Sequence, residues 1–367
     1  MAEGKGPLDL EKEVLNEGLC ASCGACVGIC PYIKVVKDRV AVIEPCGISE
    51  GQCYDFCPRT PTDIPALERR LFGKERADYS LGLYISIEMA QATDSSIRRR
   101  AQYGGVVSAL IAYALDSGAI ESAVLTKPFD SGLMPASTLA EESVRVLEYS
   151  GSNYISSATL SELNKAIKQP RGAIGIVGIP CQIMALRKMQ ASQHETGAEA
   201  VKLAIGLFCT WALSYKGFYE YLRGKVDTSS IKRIDIPPPP ANILVVHTGD
   251  GALEFPLDEI RGAIKPTCNI CYDMTSELAD ISVGMVEGMD DWNTLIVRTP
   301  AGEQLVAGAR ANGIIETRPL DEARLAHLRE ASMNKKRKAI DEIVRRTGDN
   351  SNLLYLRLSD ADRRNLL

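Results

Sequence analysis

Cys20-Ala-Ser-Cys23-Gly-Ala-Cys26-Val-Gly-Ile-Cys30-Pro31 sets four thiols at a C-x2-C-x2-C-x3-C-P spacing. That spacing suits a 4Fe-4S cube, with three thiolates on one tight loop and the fourth carried onward by the next turn. Zinc sites ask for something else: C-x2-C pairs across a longer spacer, often with His, and no fourth cysteine before a proline. The stretch therefore predicts a bacterial-type, ferredoxin-like α+β domain and one-electron chemistry.

A second group follows at Cys46, Cys53 and Cys57-Pro58, as a duplicated module would have it. The copy is imperfect. Counting back from Cys57 calls for cysteines at 53, 50 and 47, and the chain has Cys53, Glu50 and Gly47, with Cys46 displaced by one. In two-cluster modules the last cysteine of each run serves the other cube. Cys20, Cys23, Cys26 and Cys57 are thus assigned to the first cluster, leaving Cys30, Cys46 and Cys53 for the second. The fourth corner of the second is Glu50 or Asp55, or is missing in a three-iron cluster. Alternatively only the first cluster exists and the other thiols are structural.

With 367 residues the chain has room for two or three domains and a sizeable core. Its 45% hydrophobic and 24% charged residues are those of an ordinary globular protein. A net charge of -5 leaves no electrostatic footprint for nucleic acid. Met1 to Glu13 is polar, unlike a secretory signal. The longest apolar stretch, around Leu203 to Leu213, is too short to span a membrane. The expected location is cytoplasmic, where eleven cysteines are metal ligands or catalytic groups rather than disulfides. Three histidines (His194, His247, His327) argue against triads and His-rich metal sites.

Beyond about Tyr79 apolar runs alternate with helical patterns, which predicts an α/β core with a mixed sheet. The expected division is 1–78 for the iron-sulfur domain, 79–170 and 171–345 for the two parts of the core, and 346–367 for a tail. Strands are expected over Leu83 to Ala90, Ala123 to Thr126, Ala173 to Val177, Leu203 to Phe208, Ile231 to Ile236, Ile243 to His247, Ala252 to Phe255, Trp292 to Arg298 and Ile314 to Thr317. Helices are expected over Val106 to Leu115, Ile183 to Met189 and Lys216 to Leu222, with Asn334 to Arg346 as an exposed terminal helix. Pro237 to Pro240 reads as a rigid connection, since proline cannot sit in a central strand.

Four cysteines remain in the core: Cys181, Cys209 and the chelating pair Cys268-x2-Cys271. Singly, Cys181 and Cys209 read as ordinary buried thiols. The pair needs two further thiolates and only these two are left, so counting predicts a third cluster.

Several segments then occur in a telling order: Gln102-Tyr103-Gly104-Gly105-Val106-Val107-Ser108-Ala109-Leu110, Gly151-Ser152-Asn153-Tyr154, Gly178-Ile179-Pro180-Cys181-Gln182, Cys268-x2-Cys271, and Ala279-Asp280-Ile281-Ser282-Val283-Gly284. Together they resemble the beta subunit of the coenzyme F420-reducing hydrogenase and F420-dependent formate dehydrogenase family. The layout is nearest the F420H2 dehydrogenase input subunit of methanogens, whose C-terminal half Asp291-Trp292-Asn293-Thr294 and Val297-Arg298-Thr299 also resemble. The resemblance implies a core flavoprotein domain with one FAD beside the cluster of Cys181, Cys209, Cys268 and Cys271. It also implies coenzyme F420 as the hydride-exchanging substrate. The partner would be a redox subunit such as a hydrogenase, formate dehydrogenase or heterodisulfide reductase. Two or three 4Fe-4S clusters would link flavin and partner, and removing residues up to about Asp78 would leave the flavin chemistry intact. Other readings stand beside this one: a reductase of the same family taking electrons from ferredoxin or another donor, as 7-hydroxymethyl chlorophyll a reductase does, or a relay subunit without catalysis.

For FAD the expected cradle is Gly104-Gly105, opening a helix at Val106. Glycines let a pyrophosphate approach the backbone, and a helix N-terminus offers free N-H groups. Arg98, Arg99 and Arg100 stand just upstream. Lys127, Ser152, Asn153, Tyr154, Gly178, Pro180 and Gln182 are further candidates, because α/β ligands sit at the carboxyl ends of strands. The plain alternative is a helix start, a solvated charge run and ordinary turns.

Overall fold

Ile174-Gly-Ile-Val-Gly178 is apolar on both faces because it runs through the middle of a sheet, as fully covered parallel strands do. The computed structural model describes residues 4–131, 133–169, 172–237 and 241–366, so Pro238 to Pro240 of the expected rigid connection lie outside the described residues. The sheet has eight strands, in the order Ile315–Pro319, Ser86–Ala92, Met289–Val297, Ile281–Val286, Val201–Leu207, Ile174–Gly178, Ser122–Ser131, Met134–Ala140. From Ile281–Val286 to Ser122–Ser131 the neighbours are parallel. The strands outside them pair antiparallel. The carboxyl ends of the four parallel strands therefore lie along one edge, where α/β proteins build their sites.

Helices cover both faces. Val106–Asp116 and Pro300–Ala311 pack Leu110, Ile111, Leu305 and Val306 onto one. Thr159–Ala166 and Pro180–Ala191 lie on the other, together with the N-terminal residues. The strands Arg233–Asp235, Ile243–His247 and Ala252–Pro256 form a small separate sheet, which packs with helix Tyr215–Leu222 over its own core of Phe218, Leu222, Leu244 and Val246.

Most expected core elements are present with ends shifted by a few residues, as helix and strand boundaries are. The strands Met134–Ala140 and Ile281–Val286 and the helices Thr159–Ala166 and Pro300–Ala311 have no counterpart in the sequence reading.

Residues 4–78 carry the hairpin Ile33–Val36/Arg39–Val42 and the helix Ile64–Phe72. They are not an appendage. Gly24, at φ +88, lies so close to Ala158 O that an added Cβ would come within 2.5 Å. Leu160 N-H donates to Cys23 O at 3.0 Å, and Asn164 Nδ2 donates to Ala25 O and Val27 O at 2.9 and 2.8 Å. The first cysteine loop is thereby seated on helix Thr159–Ala166.

The expected tail behaves likewise: Leu356–Arg357 pairs parallel with Thr62–Asp63, and Leu353, Tyr355 and Leu366 are buried. Beneath it a closed charge network joins four segments. Arg76 meets Glu68, Glu277 and Asp362, and Glu277 also takes the ammonium of Lys336. Removing residues 1–78 would strip Glu277 of Arg76, its partner at 2.9 Å. The terminal helix is also not an exposed one: Glu322–Thr347 starts well before Asn334 and buries Lys336, Ala339, Ile340 and Ile343.

Candidate functional site

The turn after Ile174–Gly178 delivers Cys181 and the turn after Val201–Leu207 delivers Cys209 to the same edge. The one-turn helix Pro266–Ile270 brings Cys268 and Cys271 to meet them. All four thiols line one cavity with Ile179, Pro180, Arg59 and Lys335. Among the described residues no three His, Cys, Asp or Glu groups close on a single-ion point. Four thiols lining one cavity are the donor set that a 4Fe-4S cube would take.

The N-terminal cysteines fall into two further sets. Cys23, Cys26 and Cys57 feel one another's charge and that of Cys20. Cys53 feels Cys30 and Cys46. Electrostatic influence runs along the series, since Cys26 also senses Cys53, and Cys181 senses Cys23. Backbone N-H groups two residues on point at sulfur: Ser22 N to Cys20 Sγ at 3.3 Å, Tyr32 N to Cys30 Sγ at 3.4 Å, Arg59 N to Cys57 Sγ at 3.4 Å. Such bonds stabilise thiolate charge and tune a cluster's potential. Glu50 turns toward Gly4, and Asp55 lies in the field of Lys188.

Burial dominates the electrostatics. It pushes the Cys23 and Cys209 thiols up to about 12 and those of Cys53 and Cys57 up to about 11. A thiol so placed ionises only beside positive charge, which bound iron supplies. Cys271 moves the other way: burial raises it, but Lys335 and Arg59 outweigh burial and hold it below the ordinary thiol value. Both cations are built in. Arg59 is buried, donates from Nε to Thr267 Oγ1 at 2.9 Å and stacks on the Tyr355 ring at 4.6 Å. Lys335 donates to Cys209 O.

The expected flavin residues divide. Gly104 and Gly105 open the helix at Val106, with Gly105 at φ +70. A Cβ on Gly104 would meet Asn293 Oδ1 at 2.8 Å, and that oxygen accepts from Val106 N at 3.2 Å. Arg98 is spent on Ala92 O and Thr93 O. Tyr154 OH receives Gln102 Nε2 at 3.0 Å and Ile236 N at 3.1 Å, while Asn153 Oδ1 accepts from Ile155 N at 3.1 Å, with Ser152 beside them. Lys127 lies opposite Ala136 in the sheet. Gly178 lets Gln182 fold back so that its Oε1 accepts from Ile179 N at 2.9 Å. Gln182 Nε2 donates to Ser157 O and Thr159 Oγ1, both at 2.9 Å. That places Pro180 and Cys181 on the cysteine cavity and Gln182 on its far side.

Sequence reasoning missed Arg59 and Lys335. Arg59 directly follows Cys57-Pro58, the nearest thing to a signal; Lys335 is placed by tertiary packing alone.

Comparison with known proteins gives the family. Residues 88–164 match the N-terminal family model of the coenzyme F420 hydrogenase/dehydrogenase beta subunit, and residues 172–323 its C-terminal model. The core cysteines fall within the second, and the cysteines from 20 to 57 lie before both. Coenzyme F420 hydrogenase subunit beta of Methanothermobacter thermautotrophicus is 35% identical over 72% of this chain and 96% of its own length. Coenzyme F420-dependent sulfite reductase of Methanocaldococcus jannaschii is 31% identical over 80% of this chain, which spans 46% of that enzyme. A chain of the F420-reducing [NiFe] hydrogenase complex from Methanosarcina barkeri superposes with a TM-score of 0.67 at 30% identity, covering 74% of this chain and 95% of its own. Among the described residues no helix is long and apolar enough to cross a membrane. Matched over both halves of its core, the chain belongs to the coenzyme F420 hydrogenase/dehydrogenase beta subunit family of oxidoreductase subunits.

Proposed function

We propose that this chain exchanges electrons between coenzyme F420 and a partner redox protein, holding one FAD and iron-sulfur clusters in the cytoplasm. The observation that carries the reading is the series of cysteine sets, from Cys181, Cys209, Cys268 and Cys271 through Cys20, Cys23, Cys26 and Cys57 to Cys30, Cys46 and Cys53. A flavin takes electrons in pairs from a deazaflavin and passes them singly to clusters. The chain's own residues supply the rest. The core thiolates are held by strand-end turns, Arg59 and Lys335 set positive charge beside them, and backbone N-H groups support the N-terminal thiolates. The outer set suits an exit: Cys30 is partly exposed, and the exposed hydrophobic side chains Tyr32 and Val36 follow it in sequence while Ile43 and Ile48 flank Cys46.

Metal and flavin analysis of the full-length protein, purified anaerobically, tests this. Cys268→Ser and Cys181→Ala should each remove about four irons while leaving the N-terminal clusters' signals. Unchanged iron in both would sink the core assignment. A cluster shoulder without flavin bands would leave a relay subunit in place of an enzyme.

A further inference from the structure

Lys265 begins at the core cysteine set and ends on the first N-terminal one. It stands shortly before Cys268, and its backbone is fixed there: Lys265 N donates to Ala212 O and Cys268 N donates to Lys265 O, both at 2.9 Å. Ala212 N in turn points at Cys268 Sγ at 3.3 Å. Lys265 lines the core cavity together with Ala21, the residue between Cys20 and Ser22. Its ammonium lies beyond that wall. Lys265 Nζ donates to Ser22 Oγ at 2.7 Å and to Asp38 O at 2.8 Å, and stands 3.4 Å from Asp38 Oδ2.

Burial makes this placement specific. Lys265, Ser22 and Asp38 are all buried, and an ammonium taken out of water is costly unless oxygen atoms meet it. The acceptors that meet this one belong to the N-terminal module, which holds them rigidly. Ser22 N donates to Cys20 Sγ at 3.3 Å, and the Ser22 hydroxyl donates to Asp38 O at 2.5 Å. Ser22 takes φ +54, which a residue other than glycine keeps only where its surroundings fix it. Asp38 Oδ2 also accepts from Tyr215 N at 3.0 Å, which ties the hairpin tip to the core.

The bonds form one line between the two sets. From Cys20 Sγ it runs through the N-H and hydroxyl of Ser22, then the side chain and carbonyl of Lys265, to the N-H of Cys268, across hydrogen bonds of 3.3, 2.7 and 2.9 Å. Lys188 and Asn164 also hold carbonyls of the module, on Cys57 and on Ala25 and Val27, but neither lines the core cavity.

We propose that Lys265 is a positioning residue that sets the separation of the core cysteine set from the set of Cys20, Cys23, Cys26 and Cys57, and so the gap that a single electron crosses between them. The inference rests on the cluster reading of the preceding section. In that step one electron, supplied by a reduced flavin or a chemical reductant, leaves the core set and arrives at the first. No bond is made or broken, and Lys265 keeps its proton. Because Asp38 balances the ammonium, the residue acts through distance rather than through net charge.

Paramagnetic resonance of the full-length holoprotein, fully reduced with dithionite, decides it. Reduced clusters held close together split each other's signals, and Cys268→Ser supplies the spectrum of the N-terminal clusters alone. The variants are Lys265→Met and Ser22→Ala. The second removes a hydroxyl and no charge, so it answers even where the first does not fold. Both should keep the iron content of the wild type, while the splitting between the core and first sets is lost in Lys265→Met and weakened in Ser22→Ala. A wild-type splitting retained in the folded variants, even with a lowered unfolding midpoint, would mark a merely structural residue and overturn the proposal. So would a core signal that is unsplit in the wild type. Absence of iron from the wild type would remove the cluster reading itself, and the proposal with it.

Discussion

Arg59 shows how one residue links two cysteine sets. Its backbone N-H supports Cys57 Sγ, and its guanidinium lines the cavity of Cys181 and Cys271. Burial alone would lower the guanidinium's proton affinity, but Tyr355, Cys271 and Cys181 outweigh it and raise it. A fixed positive charge there favours the reduced, more negative state of both neighbouring clusters. Arg59→Gln should lower their midpoint potentials by about 60 mV or more, one factor of ten for a one-electron couple, and leave the Cys30, Cys46 and Cys53 set unmoved. Redox titration followed by electron paramagnetic resonance reads this. Equal shifts in all the clusters would point to a general disturbance instead. The grouping of the four core thiols, which the structure brings to one cavity, was legible in the sequence from the C-x2-C pair and the count of cysteines left over. Arg59 was not, because a cation's value here depends on Tyr355, hundreds of positions away in the chain.

At the scale of the element, the helix Glu322–Thr347 sends Lys335 to the cysteine cavity and Lys336 into the charge network. Its basic composition read as a solvated face. The burial comes from Glu277 and the Tyr272 ring, 4.5 Å below the ammonium, neither of which has any local signature. Lys336→Met should destabilise the fold by about 3–5 kcal/mol, because it leaves Glu277 undercompensated in the interior; denaturant unfolding measures it, and a loss under about 1 kcal/mol would contradict the network's role.

The same network sets an acid limit. Burial raises the Glu277 carboxyl, but Lys336 and Arg76 outweigh burial and hold it below its ordinary value of 4.5. A group depressed in the folded state contributes stability that is complete above its unfolded value and lost as pH falls through the folded one. Burial holds Glu68 and Asp273 above their ordinary values, which acts in the opposite sense, so the comparison with Glu277→Gln carries the sign. The wild type should lose stability below about pH 4.5 more steeply than the variant does. Parallel curves of unfolding midpoint against pH would rule this out.

For the whole molecule, the mixed sheet of the α/β core could be read from apolar runs of strand length, though its parallel strand Ile281–Val286 was not among them. The interlocking of residues 4–78, the core and the C-terminal segment could not, since the pairing of Leu356–Arg357 with Thr62–Asp63 joins two short segments with no pattern of their own. Function should divide along the cysteine series rather than along the chain. Cys53→Ser should leave F420-dependent reduction of the flavin intact and slow electron delivery to the partner by about tenfold or more, as the loss of one relay step would. A variant that delivers electrons at the wild-type rate would remove the outer set from the route.

On the proposed route, reduced F420 feeds a flavin whose electrons leave through the core cysteine set. Anaerobic rapid mixing of reduced F420 with the full-length protein tests it most directly, with the flavin band followed optically and the clusters by freeze-quench paramagnetic resonance. The flavin should bleach first and the cluster signals rise after it, with Cys268→Ser stopping at the flavin. A flavin band that dithionite bleaches and reduced F420 leaves untouched would contradict it.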